Sequence, residues 1–376
     1  MNPRRTSIWM GPWDLVGRDF SAVLGELEEV GVEAISLAMA YHGGRLLLGN
    51  HPSRLVMELH RSAVYFAADL AAFAPLPIQR ALESAVTSEF IEAAARRGFV
   101  VEAWLVLCHN DGLAEADRSL AVTNAFGEPY TYALCPANPR VRAYCVELCR
   151  QAARIEGVGG LDLEALSFVG YEHASLHDKR GTTLPAEAVE LLSVCLCPSC
   201  RAELGSAAVD LERHIQAGVR AALRGGHAAG LPPELEVALL AHRARVQRQL
   251  LREIREVTGS AHLNLRWTPD RRFTGGKCTL PADMLAGLAD EVTVTFFGVS
   301  LDRIHEAAAR LPDCPVPVRA GFVFHGPDCC SPEDVQDRVD ALRVPVVQGL
   351  SLYSYSLAAP RHLDWARSAL DGRRKS

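Results

Sequence analysis

The 376-residue sequence predicts an α/β fold, one (β/α)8 TIM barrel occupying residues 1–376 as a single domain. Three observations predict it. Apolar strand-like runs alternate with helix-like stretches almost from end to end, the signature of βα units around a parallel sheet. Eight such runs can be counted. Within several of them bulky apolar residues alternate with small or polar ones, as a barrel strand requires when one face packs on helices and the other lines the axis.

The first strand is read at 7–13, through Ile8, Trp9 and Met10, and an amphipathic helix follows at 20–30. The second strand, 33–42, precedes a long excursion at 43–76 and a helix at 88–97. The third strand is 100–110 and the fourth 160–168. A second long excursion occupies 169–232. Residues 234–241 alone could be a strand, but they run on without a break into a helical pattern, so 233–258 is assigned to one helix. The remaining strands are placed at 261–267, 291–297, 318–325 and 349–355.

Side-chain parity then orients the strands. Ile35, Leu37 and Met39 should face outward, with Ser36, Ala38, Ala40 and His42 inward. The fifth strand puts Leu263 and Leu265 out, Asn264 and Arg266 in. The sixth puts Val292, Val294 and Phe296 out, Thr293, Thr295 and Phe297 in. The eighth puts Leu350 and Leu352 out, Ser351, Tyr353 and Tyr355 in. On the fourth strand the sequence Gly160-Leu161-Asp162-Leu163-Glu164 sends both acids to the axis, toward Arg266 and Arg319. Two carboxylates on one face of an apolar strand are costly to bury unless paired or wet, which makes them functional candidates. The competing reading is an internal salt bridge from Glu164 to Arg266 or Arg319.

Composition narrows the function classes. A formal net charge of −6 argues against a nucleic-acid partner, and no run is long enough to span a bilayer. The N-terminal residues lead into Ile8-Trp9-Met10-Gly11-Pro12-Trp13 rather than a long apolar segment, so no secretory signal is expected. Eleven scattered cysteines fit a reducing compartment better than a disulfide framework, and a cytoplasmic location is expected. Gly225-Gly226 and Gly275-Gly276 form neither a P-loop nor a dinucleotide fingerprint, so no such cofactor is implied.

Active sites of (β/α)8 enzymes lie at the C-terminal strand ends. Here those ends supply Trp13, Tyr41, His42, His109, Asn110, Glu164, Arg266, Trp267, Phe297, His325, Tyr353 and Tyr355, with His173 in the loop after strand four. Aromatic faces beside carboxylates and hydrogen-bonding groups suit a sugar, so these residues are the candidate contacts for a small-molecule or oligosaccharide substrate.

The run Cys135-Pro136-Ala137-Asn138-Pro139-Arg140-Val141-Arg142-Ala143-Tyr144, the strand Gly160–Glu164 and the triplet Cys195-Leu196-Cys197-Pro198-Ser199-Cys200 together resemble the glycoside-hydrolase-like TIM barrels of bacteria. The resemblance is clearest over residues 100–205. It implies that Glu164 holds the place of the general acid/base, with Asp162 as a second catalytic candidate that tunes or assists it. The D-x-E spacing is also similar to the end of the chitinase-type motif, but Gly157 and Gly160 stand where that motif carries further acids.

The second acid of a two-carboxylate glycosidase is not evident. Strand seven ends in Phe322-Val323-Phe324-His325 and strand six in Phe297-Gly298, so the partner would be Asp162, Asp111, Glu172 or Asp178. Two alternatives follow: a sugar-binding barrel without a nucleophile, and a metal-dependent hydrolase or lyase using His109, His173 and His177 with Glu164. His173 and His177 share the i,i+4 spacing of a helical metal pair but show no third ligand, which favours substrate contacts. Cys195, Cys197 and Cys200 could hold a structural zinc ion with Cys135, Cys145, Cys149 or a histidine as fourth ligand. Against that, C-x-C-x-x-C lacks the paired spacing of a zinc ribbon, which favours unligated or disulfide-bonded thiols.

Overall fold

A computed structural model describes residues 5–173, 179 and 181–374. Eight parallel strands close into a barrel: β1 (Thr6–Met10), β2 (Ala34–Tyr41), β3 (Val100–Val106), β4 (Val158–Glu164), β5 (His262–Arg266), β6 (Glu291–Thr295), β7 (Val318–Val323) and β8 (Val347–Tyr353). Closure is made by β1, where Ile8 pairs with Ile35 of β2 on one side and with Leu352 of β8 on the other. The strands run shorter than the sequence reading at their C-terminal ends, because the residues beyond them turn into the loops that form the mouth.

Around the barrel lie α1 (Phe20–Val30), α2 (Thr87–Arg96), α3 (Pro139–Ala152), α4 (Pro233–Thr258), α5 (Leu301–Ala309), α6 (Pro332–Ala341) and α7 (Pro360–Arg374). Local chemistry sets their ends. Asp19 caps α1 by accepting from the Ser21 amide, and Gly31 closes it at φ 88°. Asn138 caps α3 by accepting from Arg140 N, with Pro139 pre-set at the first helical position. The inner face of α3 is Val141, Cys145, Leu148, Cys149 and Ala152, the spacing of a helix against a sheet. Between β5 and β6 the only helix is a 3-10 turn, Ala282–Met284. Pro269, Gly275, Gly276, Pro281 and Gly287 interrupt that stretch too often for an α-helix.

The first excursion holds an antiparallel hairpin, Gly44–Leu47 with Val56–Leu59, and a short strand, Ala63–Val64, against β2. A further hairpin after β3, Ala121–Thr123 with Pro129–Leu134, was not anticipated. The second excursion carries helices Ala186–Leu192, Pro198–Leu204 and Ala207–Leu223. Among the described residues no helix is long and apolar enough to cross a membrane.

The main core lies between barrel and helices, where Ile35, Leu37, Leu163, Leu265, Val292 and Leu352 meet Leu24, Phe90, Leu148 and Leu250. Burying one such side chain contributes about 1.5–3 kcal/mol. The parity reading fails at two places. The β2–β3 pairing skips a residue between Ala38 and Ala40, so Ala40 joins the outer core and Tyr41 the inner cluster. On β8 the strand ends at Tyr353, and Tyr355 also lies in the outer core instead of facing the axis.

The floor of the barrel is ionic. Arg319, 1% exposed, forms a bidentate pair with Glu102 at 2.8 and 2.9 Å and also bonds Glu291 and, at 3.1 Å, Ser7. Ser36 adds a bond to Glu102 at 3.1 Å. Burial by itself would raise the Glu102 pKa, but the charge and hydrogen bonds of Arg319 prevail and hold it below 4.5; Glu291 behaves likewise. Both acids therefore contribute stability that is present above about pH 4.5 and lost as pH falls through their lowered values. Replacing Arg319 with Met strands two carboxylates and should cost about 3–5 kcal/mol in urea unfolding at neutral pH. A variant as stable as the parent would refute this account of the floor.

Candidate functional site

Above the floor, β4 delivers the two acids to different surroundings. Leu161 and Leu163 face the outer core, so Asp162 and Glu164 face the axis in successive layers. Asp162 is fully buried. It accepts from Trp9 Nε1 at 2.7 Å, from Arg266 Nε and Nη2 at 3.1 Å each, and from Asn264 Nδ2 at 3.4 Å. Asn264 is fixed in turn by Thr293, whose hydroxyl donates to its Oδ1 at 2.9 Å. The guanidinium carbon of Arg266 lies 3.8 Å from the centroid of the Trp9 ring. That ring occupies space left by Gly321, where a Cβ would come within 2.7 Å of it.

Glu164, one layer higher, keeps 28% of its side chain exposed. Its Oε2 accepts from Trp104 Nε1 at 2.7 Å and stands 3.8 Å from Arg266 Nη1. The next residue, Ala165, is left-handed at φ 55°, an uncommon conformation for a residue with a Cβ, and its amide bonds Gly276 O at 2.8 Å. The chain thus turns sharply after Glu164 and leaves its carboxyl at the rim.

An aromatic wall surrounds this carboxyl. Tyr41 and Tyr353 stand 5.0 and 6.5 Å from Trp104, centroid to centroid, and Phe297 packs on Tyr353 at 4.9 Å. Tyr41 and Tyr353 share a hydrogen bond, and burial pushes both phenols up. Lys277 closes another side, its Nζ 3.3 Å from Thr295 O and 5.1 Å from the Phe273 ring. Burial and the Arg266 charge lower its pKa to about 8, while Glu164 opposes them. The charge of Glu164 acts on Arg266, Lys277, Tyr41, Tyr353 and His42 alike.

Next to Tyr41 runs a chain of imidazoles. His42 stacks on Tyr41 at 4.2 Å and on His109 at 4.0 Å, and His109 Nδ1 lies 3.0 Å from His173 Nε2. His42 donates from Nδ1 to Gly43 O at 2.7 Å, which leaves its Nε2 as the lone-pair nitrogen when neutral. Tyr132 meets the His109 ring edge-on and donates to Gly170 O at 3.0 Å. Burial lowers the pKa of all three histidines; His173 falls to about 4.

The structure therefore brings together Glu164, Asp162, Arg266, Tyr41, His42, His109, His173, Phe297 and Tyr353. Other candidates lie elsewhere. Trp13 is buried behind Tyr41 and Tyr65 and donates to Ser356 Oγ at 3.0 Å. Asn110 caps helix Asp111–Ala116 and bonds the Tyr144 hydroxyl at 3.1 Å. Trp267 points into the outer core, its Nε1 on Leu280 O at 2.8 Å. His325 is buried beside Phe324 and His362. Tyr355 donates to Glu26 at 2.6 Å and accepts from Arg18 at 2.7 Å. Of the proposed second acids, Asp111 is engaged by Ser62 and Gly112, Glu172 is exposed, and Asp178 lies outside the described residues, as does His177.

Sequence reading missed Trp9, Trp104 and Lys277 at the site and Glu102 at the floor. Trp9 and Glu102 each lie in a strand where the alternating parity would have turned them inward. Lys277 follows two glycines in a loop and gave no such signal. Among the described residues two groups of metal-donor side chains converge: Glu102, His262 and Glu291, where Arg319 bonds both acids, and Cys135, Cys195, Cys197 and Cys200. The histidines beside Glu164 do not form such a group.

No family model matches this sequence, and no curated protein matches it. Among solved structures it is similar to the PgaB (BpsB) glycoside hydrolase domain of Bordetella bronchiseptica, at 12% identity and TM-score 0.60 over 98% of both chains. It is also similar to α-L-fucosidase isoenzyme 2 of Paenibacillus thiaminolyticus, at 12% identity and TM-score 0.57, covering all of this chain and 50% of that one. A third is the β-galactosidase of Marinomonas ef1, at 9% identity and TM-score 0.59, covering 98% and 59%. The chain thus spans about half to three-fifths of those two enzymes. At these identities the likeness establishes the TIM-barrel fold and no particular reaction.

The two acids should separate on substitution. Asp162→Asn breaks a buried bidentate pair and should destabilise by about 3–5 kcal/mol, whereas Glu164→Gln at the half-open rim should change stability by less than about 1 kcal/mol. Equal losses in denaturant titration would contradict the division. The histidines give a pH signature. His173 titrates near 4 when folded against about 6.5 when unfolded, so stability is full above about pH 6.5 and is lost as pH falls toward 4. His173→Gln should flatten the melting temperature against pH in that window; an unchanged slope would count against a buried neutral ring.

Proposed function

We propose that the protein is a glycoside-hydrolase-like enzyme acting on a carbohydrate or glycoconjugate, with Glu164 as general acid/base. The observation that carries this is the contrast at β4: Glu164 is partly open at the strand end, held by one indole N–H and walled by Trp104, Tyr41, Tyr353 and Phe297. Ring faces beside one oriented carboxyl are what a sugar with an acid-labile link requires. The glycosidase names of the similar folds point the same way.

In this reading Asp162 is a positioning residue. It fixes Arg266, whose Nη1 then faces the Glu164 carboxyl, and Arg266 holds the orientation of that group. Phe297, Tyr41 and Tyr353 form the sugar platform, and His42, His109 and His173 offer neutral hydrogen-bonding nitrogens to hydroxyls. A second reading, a sugar-binding barrel without turnover, is favoured by one feature. The end of β7, Phe322-Val323, carries no acid that could act as nucleophile, and Asp162 is already engaged by Arg266.

A panel of p-nitrophenyl glycosides tests the choice. With a substrate found, Glu164→Gln should lower kcat by about 10²–10⁴-fold with the fold intact by circular dichroism. Undiminished turnover in that variant would rule out the assignment. Calorimetric binding of oligosaccharides by the parent protein without product release would select the binder.

A further inference from the structure

We propose that Cys135, Cys195, Cys197 and Cys200 form a tetrathiolate zinc site that ties the loop after β3 to the loop after β4. This is independent of the carbohydrate reading. All four side chains are buried, and their sulfurs lie within 4.8 Å of one another. Cys135 Sγ is 3.5 Å from Cys197 and Cys200 and 3.7 Å from Cys195.

Those distances decide between the alternatives. A disulfide needs about 2.05 Å between sulfurs, and every cysteine here is free. A tetrahedron with zinc–sulfur bonds of about 2.3 Å has sulfur–sulfur edges of about 3.8 Å, close to the spacing found. Cys145 and Cys149, the other proposed fourth ligands, lie instead on the inner face of α3, with Cys145 beside Cys108.

The surroundings are those of an anionic centre. Four thiolates around a divalent ion, their protons released to solvent, carry a net charge of about −2. Arg243 is buried beside the cluster, in the field of Cys195 and Cys200. Among the described residues no ion pair to a carboxylate within 4.0 Å accompanies it, and its bond to Ser193 O is long at 3.5 Å. His242, 1% exposed, lies near Cys197 with its Nε2 lacking a hydrogen-bond partner among the described residues. Amide donors reach the sulfurs as well: Thr123 N to Cys195 at 3.4 Å, and Cys200 N to Cys197. Glu190 acts on Arg243 from beyond ion-pair distance, and a buried cation with no carboxylate in contact is poorly compensated beside four neutral thiols and well compensated beside a dianionic centre.

The site has a consequence for the mouth of the barrel. Cys135 follows the strand that carries Tyr132, and Cys195 belongs to the loop that carries His173. The four cysteines pack in one cluster with Trp104, Tyr41, Tyr132 and Ala165. The ion thus clamps both loops beside Glu164.

Elemental analysis of the purified full chain tests it. About one zinc per chain is expected, falling to trace in Cys197→Ser and unchanged in Cys145→Ser, a buried cysteine outside the cluster. Cobalt exchanged for zinc should give the thiolate charge-transfer and visible bands of a tetrahedral tetrathiolate. Chelation under mild denaturant should lower the melting temperature and open the stretch at 181–207 to limited proteolysis. A metal-free protein as purified that takes up neither zinc nor cobalt, or one that holds iron in zinc's place, would overturn the proposal. So would full zinc occupancy in Cys197→Ser.

Discussion

The structure of the site depends on a buried carboxylate that must be paired. Asp162 sits with no solvent contact on the axis of the barrel, where an unpartnered charge would be prohibitive. Its partner, Arg266, comes from the adjacent strand at a register that sets Asn264 opposite Asp162. With both carboxylate oxygens bridged by one guanidinium and Trp9 bonded to the same group, the middle of the barrel has one arrangement. Arg266 is then a fixed object against which Glu164 and Lys277 are placed.

A second ionic layer repeats the logic at the opposite end. Arg319 gathers Glu102, Glu291 and Ser7, contributed by β3, β6 and β1. Strands far apart in sequence are therefore bound through their inward polar groups as well as through the outer apolar core. Such networks contribute less net stability than an apolar filling of equal volume, and they penalise alternative registers by stranding charge. The upshot for chemistry is that charge on the axis is paired and buried, except at the rim, where Glu164 faces Arg266 at 3.8 Å but stays 28% exposed and within reach of a ligand.

The eight-strand count, the long helix at 233–258 and the inward direction of Asp162, Glu164, Asn264 and Arg266 were legible from periodicity, which depends only on local backbone geometry. Parity misled at Ala40 because a skipped residue in the pairing reverses the faces, and at Tyr355 because the strand stops two residues earlier. The choice of partners was not legible. The salt bridge contemplated for Glu164 is instead made mainly by Asp162, and Arg319 turned to Glu102, a residue that sequence reading passed over. Strand-end aromatics divided in the same way: Tyr41 and Tyr353 reach the wall, while Trp13 and Trp267 satisfy their indoles inside the core.

By itself, then, the sequence determined the barrel and the layer in which each acid would stand, because strand and helix periods are properties of neighbouring residues. It also determined that three cysteines would be close together in one loop. Only the tertiary structure decided that Asp162 is held by Arg266 and Glu164 left partly open, that three histidines from separate loops meet beside it, and that Cys135 completes the sulfur cluster. These are meetings of residues separated by up to 104 positions, Asp162 to Arg266, and strand register and loop closure, which set them, have no signature in local order.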